Sequence, residues 1–105
     1  MSQFSMIYVT CPSKEESEKI LLDLLERRLV ACGNISSPIT SYYHWQGEIE
    51  NSEEFVLILK SKSGLFSEIE QRIAEIHSYE VPCIVEINLE KLHQPYANWI
   101  NEETK

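Results

Sequence analysis

Hydrophobic and polar positions change period several times along the chain, and each change marks an element. Residues 6–10, Met-Ile-Tyr-Val-Thr, are rich in strand formers and are stopped by Cys11-Pro12. Ser13 precedes Glu16 by three positions, the spacing of a capping box that opens a helix. Behind it Ile20, Leu21, Leu24, Leu25 and Ala31 recur at helical spacing, Leu22 and Leu29 widen the stripe, and Gly33 reads as the stop. From residue 35 the period shortens. After Ser36-Ser37-Pro38, residues 39–45 read as a strand carrying Tyr42, Tyr43 and Trp45; residues 47–51 have turn chemistry, and residues 55–59, Phe-Val-Leu-Ile-Leu, form a strand apolar on both faces. Two strands so closely linked make an antiparallel hairpin.

A second amphipathic helix opens at Ser63 or Gly64 and carries Leu65, Phe66, Ile69, Ile73 and Ile76 on one side. Residues 77–82 connect it to a last strand on Ile84, Val85, Ile87 and Leu89. Pro95 suits the first position of a short final helix presenting Tyr96, Trp99 and Ile100. The order β-α-β-β-α-β plus a terminal helix predicts an α+β, ferredoxin-like fold with both main helices on one face of an antiparallel sheet. Middle strands apolar on both sides leave the other face in need of cover, so a homo-oligomer with sheets packed together is expected.

Composition narrows the class. The 105 residues suit one domain spanning 1–105, with 43% hydrophobic and 25% charged positions and only three glycines. Seventeen acidic against nine basic residues give a net charge of −8, which argues against binding nucleic acid through its phosphates. The longest purely apolar run, residues 55–59, is far short of a membrane span. Residues 1–5 lack the features of a signal peptide, and three cysteines without CxxC spacing make no disulfide framework. A cytoplasmic protein with reduced thiols is expected.

Several strings are more specific than their elements require. They are residues 8–12 (Tyr-Val-Thr-Cys-Pro), 26–35 (Glu-Arg-Arg-Leu-Val-Ala-Cys-Gly-Asn-Ile), 41–50 (Ser-Tyr-Tyr-His-Trp-Gln-Gly-Glu-Ile-Glu), 59–61 (Leu-Lys-Ser), 77–82 (His-Ser-Tyr-Glu-Val-Pro) and 96–100 (Tyr-Ala-Asn-Trp-Ile). In this order and spacing, over about residues 7–103, the chain resembles the CutA family of divalent-cation tolerance proteins. The resemblance implies a tight homotrimer similar to that of the nitrogen-signalling P-II regulators. It also implies binding of copper or another divalent cation, in support of metal tolerance. Three positions depart from the family pattern: Ser78 stands where a proline is usual, Cys83 where an acidic residue is frequent, and Gly33 where a small or branched apolar residue is more usual.

The soft and borderline metal donors are Cys11, Cys32, Cys83, His44, His77 and His93, and no two have the spacing of a closed zinc site. Cys32 and His77 match positions that the family fills with potential ligands. A cysteine such as Cys32 is also a frequent packing residue, and His77 suits a hydrogen-bonded turn equally well. Cys11, before a helix start, is read as an accessible metal-binding thiol or an inert strand-end cysteine, since nothing local supplies the base a nucleophile needs. Tyr42, Tyr43, Trp45 and Trp99 are expected at the subunit interface. Lys60 either pairs with a carboxylate such as Glu80 or faces an anion. The second option defines an alternative function, a small-ligand-sensing trimer similar to P-II with a cleft lined by Lys60, His77, Tyr79 and Glu80. Glu48, Glu50, Glu53 and Glu54 read as a solvated hairpin tip. A hydrolase on this fold would need an anion-cradling loop after the first strand. Residues 10–13 offer no Arg or Gly, and Pro12 removes an N–H, so a non-enzymatic protein is expected.

Overall fold

The computed structural model describes residues 3–105; Met1 and Ser2, part of the segment read against a signal peptide, lie outside the described residues. The chain runs β1 (Phe4–Cys11), α1 (Lys14–Glu26), β2 (Cys32–Ile35), β3 (Ile39–Trp45), β4 (Glu48–Lys62), α2 (Phe66–Ile76), β5 (Ile84–Leu89) and α3 (Gln94–Glu103). A 3-10 turn, Ser63–Leu65, leads into α2. The strand order is β2-β4-β1-β5, with β3 also paired to β4, and every pairing is antiparallel. The expected ferredoxin-like architecture is therefore present, with one change: the second strand is split into β2 and β3, which pair with successive halves of β4.

The split has a local cause. Ser36 still donates its N–H to the Val56 carbonyl at 2.9 Å, while its hydroxyl accepts from the Val56 N–H at 2.9 Å in place of a backbone carbonyl. Pro38 has no N–H to continue the ladder. Beyond it β3 resumes, and Gln46 and Gly47 close the hairpin in a left-handed two-residue turn at φ 50° and 82°. The turn is thus shorter than the composition of residues 47–51 suggested. Residues 48–54 belong to β4, although their polar run gives no strand period.

The first helix stops earlier than its apolar stripe predicts. It ends at Glu26, and Arg28, not Gly33, takes the left-handed position, at φ 56°. The Arg28 N–H donates to the Leu25 carbonyl and the Leu29 N–H to the Leu24 carbonyl, both at 3.0 Å, which is a Schellman closure. Leu29 and Ala31 are buried all the same, as loop residues folding back under the helix. Gly33 lies within β2.

The core joins Ile7, Val9 and Cys11 of β1 and Leu57 and Leu59 of β4 to Ile20 and Leu24 of α1 and Ile69 and Ile73 of α2. Residues of the opposite parity line the other face. There Tyr8 pairs in register with Ile58 and Val85, and Met6 with Ile87. Val85 and Ile87 are 48% and 41% exposed, so this face is apolar and only partly covered.

Candidate functional site

Two polar clusters gather towards opposite ends of this layer. The first forms where β1 meets the segment after α2. Ser13 caps α1 by accepting the Glu16 N–H at 3.1 Å, as the spacing predicts. The Glu16 carboxylate does not return to the cap but accepts the N–H and hydroxyl of Ser78, each at 3.0 Å. His77 is wholly buried at its side chain. Its Nδ1 accepts the Tyr79 N–H at 3.0 Å; Nε2 therefore carries the ring proton and donates to the Thr10 carbonyl at 2.9 Å. Nδ1 also lies 3.4 Å from a Glu16 oxygen. A metal ion could reach His77 only by displacing one of these backbone bonds.

Tyr79 extends from the same turn and donates its hydroxyl to Glu54 at 2.7 Å. Burial, then the hydrogen bond to the carboxylate, pushes the phenol pKa strongly upward, so Tyr79 stays protonated. Glu54 is only 7% exposed, which corrects its reading as part of a solvated hairpin tip. It shares the parity of Val56 and Ile58 on β4, and that alternation is the one signal in the sequence that could have placed it inward. Cys11 is fully buried, and burial raises its thiol pKa, with a smaller opposing effect from the Ser17 hydroxyl. An accessible thiol was one reading of Cys11; in the protomer it is sealed.

The second cluster joins β2, β4 and α3. Cys32 and Lys60 are register partners, and the Lys60 ammonium donates to the Asn34 side-chain oxygen at 2.9 Å. It lies 4.0 Å from the Cys32 sulfur and 5.9 Å from the centre of the Tyr96 ring. The Tyr96 hydroxyl meets the same sulfur at 3.3 Å, and Trp99 stacks on Tyr96 with centroids 5.6 Å apart. Burial and the neighbouring Cys32 raise the Tyr96 phenol to about 12. Lys60 thus finds an amide and not Glu80, which is exposed.

Thr10 is opposite Val56 and Cys32 opposite Lys60, four residues further along β4 or about 13 Å. Cys32 and His77 therefore belong to different clusters, and the set Lys60, His77, Tyr79 and Glu80 does not converge within a protomer. Among the described residues no three His, Cys, Asp or Glu side chains come together as a metal site would require. Cys32, partly exposed between the Tyr96 hydroxyl and the Lys60 ammonium, suits a soft ion as a single donor; a complete coordination sphere needs further donors from outside the protomer. The aromatic side chains expected at an interface are exposed in the protomer, Tyr42 at 73% and Tyr43, Trp45 and Trp99 at 41%, 46% and 38%.

The model of the CutA1 divalent ion tolerance protein family matches residues 5–103. The chain belongs to the CutA1 family. It is 43% identical over 98 residues to a divalent-cation tolerance protein CutA of Archaeoglobus fulgidus, covering 93% of this chain and 95% of the relative. The crystal structure of divalent ion tolerance protein CutA1 from Ehrlichia chaffeensis superposes with a TM-score of 0.94 at 37% identity, over 100% of this chain and 98% of that one. A structure described as the periplasmic divalent cation tolerance protein CutA from Archaeoglobus fulgidus also reaches 0.94, at 41% identity, over 97% of this chain and 99% of that one. The family's fold extends over the whole chain, both clusters included. Among the described residues no helix is long and apolar enough to cross a membrane.

Proposed function

We propose that the chain acts as a cytoplasmic homotrimer that binds copper or another divalent cation and supports metal tolerance without catalysing a reaction. The observation that carries this reading is membership of the divalent ion tolerance family across residues 5–103. The partly covered sheet face with Tyr8, Val85 and Ile87 supports assembly, since so much exposed apolar surface is costly in a lone protomer. Cys32 is the proposed metal contact, a soft donor that is not sealed in the core. The non-enzymatic part of this reading is supported by the state of the one buried thiol near a histidine. Cys11 is buried, and His77 is not free to serve it as a base, because backbone groups hold both ring nitrogens. Three unpaired cysteines suit a reducing compartment.

Native mass spectrometry of the reduced protein during a copper titration counts subunits and ions together. A trimer that takes up a fixed number of ions, with uptake lost in Cys32→Ser, is the expected result. Cys11→Ser and His77→Ala tested alongside show whether those positions also contribute. Ragged uptake unaffected by all three variants would overturn the metal reading.

A further inference from the structure

The face of β4 turned away from α1 and α2 reads Glu54, Val56, Ile58, Lys60, an acid and a base separated by two apolar residues. Among the described residues neither charge has an opposite charge as partner. Glu54 is more than nine-tenths buried, yet its carboxylate accepts only the Tyr79 hydroxyl, and no cation lies within ion-pair distance among the described residues. A carboxylate withdrawn from water with one neutral donor is incompletely compensated. Lys60 is partly buried beneath the Tyr96 ring and holds one neutral amide oxygen, again with no carboxylate among the described residues. In a chain with 17 acidic side chains, an inward lysine without one is notable. The two cannot serve each other within a protomer, because six residues of extended strand separate them by about 20 Å.

We infer that Glu54 of one copy receives Lys60 of the next. This inference rests on the homotrimer reading and deepens it: the Tyr79–Glu54 site is incomplete without the second copy. Head-to-tail docking places Val56 and Ile58 of each copy in the contact and leaves one acid and one base per subunit to be joined to neighbours. A closed ring satisfies them all. Sheets laid in the other sense bring like charges together, so the pair selects the register of assembly as well as holding it. Glu54 enters this contact already oriented by Tyr79, and Lys60 by Asn34, so little side-chain freedom is lost on pairing.

Zero-length carbodiimide cross-linking tests this on the wild-type protein, with peptides mapped by mass spectrometry. An isopeptide bond between Glu54 and Lys60 can only be intermolecular at that separation, and it is the expected product in the cross-linked trimer. A second measurement compares subunit dissociation constants of Glu54→Gln, Lys60→Met and the double variant, with far-UV circular dichroism confirming the fold. Each single change is expected to weaken assembly on the order of tenfold or more, and the double change little further. A stable trimer whose cross-links never join residues 54 and 60, and whose two substitutions act additively, overturns the pairing while leaving the homotrimer standing. A wild-type protein that remains monomeric overturns both. A dimer that does carry the 54–60 bond upholds the pairing and overturns the trimer.

Discussion

The δ1 methyl of Leu21 occupies the space in which a β-carbon on Gly33 would lie, and the Leu59 δ2 methyl closes the same space from 3.0 Å. Gly33 is therefore a close-packing residue of β2 against α1, where an added side chain requires Leu21 to move aside. Gly33→Val is expected to cost about 1–3 kcal/mol through overpacking. Leu21→Ala should cost less in that background than in the wild type, because it clears the clash. Chemical denaturation of the two single variants and the double variant measures the coupling; strict additivity would contradict it.

Arg72 grips Asp23 through two of its three guanidinium nitrogens, Nε at 2.9 Å and Nη2 at 2.7 Å, and so ties α2 to α1. That hydrogen bonding holds the Asp23 carboxyl below its ordinary value, with Arg27 adding a smaller contribution in the same direction. A depressed carboxylate pKa contributes stability above the unfolded value of about 3.9, and this is lost as pH falls through the folded value. Stability should therefore decline more steeply in acid, below about pH 4, in the wild type than in Asp23→Asn. Parallel pH profiles of denaturation midpoints for the two proteins would remove the clamp from the acid response.

Arg28 closes α1 in a left-handed conformation that ordinary side chains adopt at a cost. Its guanidinium reaches the Glu103 carbonyl and carboxylate at 3.2 and 3.3 Å. Arg28→Ala loses this contact and keeps the strain; Arg28→Gly loses the contact but relieves the strain. The glycine variant is expected to be more stable than the alanine variant by about 1 kcal/mol, read from thermal or chemical unfolding. Equal stabilities would mean that the left-handed turn is not maintained in solution.

Thiol chemistry should separate the three cysteines. Cys11 is fully buried with its pKa raised, whereas Cys32 and Cys83 are partly exposed. Timed alkylation with peptide mapping should modify Cys11 last, and rapidly only on unfolding. Early labelling of Cys11 in the native protein would show that the end of β1 opens readily.

Much of the architecture was legible because it rests on local periodicity. The stripes of α1 and α2, the Ser13 cap, the Pro95 start and the apolar strands each carry their own signal. The Schellman turn at Arg28 was hidden because arginine has no preference for left-handed backbone, and Leu29 and Ala31 continue the apolar stripe past the helix end. β2 was hidden because four residues with a glycine among them give no alternation. Residues 48–53 gave no strand period because that part of β4 is held by pairing with β3, not by burial.

The candidate site divided differently. Residue types together with the family resemblance singled out Cys32, His77, Lys60 and Tyr79 as chemically capable. Their partners came from elements far apart in the chain: His77 with Thr10, Tyr79 with Glu54, Lys60 with Asn34, and Cys32 with Tyr96. Sequence by itself determined the order of elements and the family, since periodicity and short-range spacing are properties of neighbouring residues. Only the tertiary structure decided which side chains meet. Strand register sets Phe4 beside Leu89, and the return of α3 over β4 brings Tyr96 to Cys32, relations that no local pattern records.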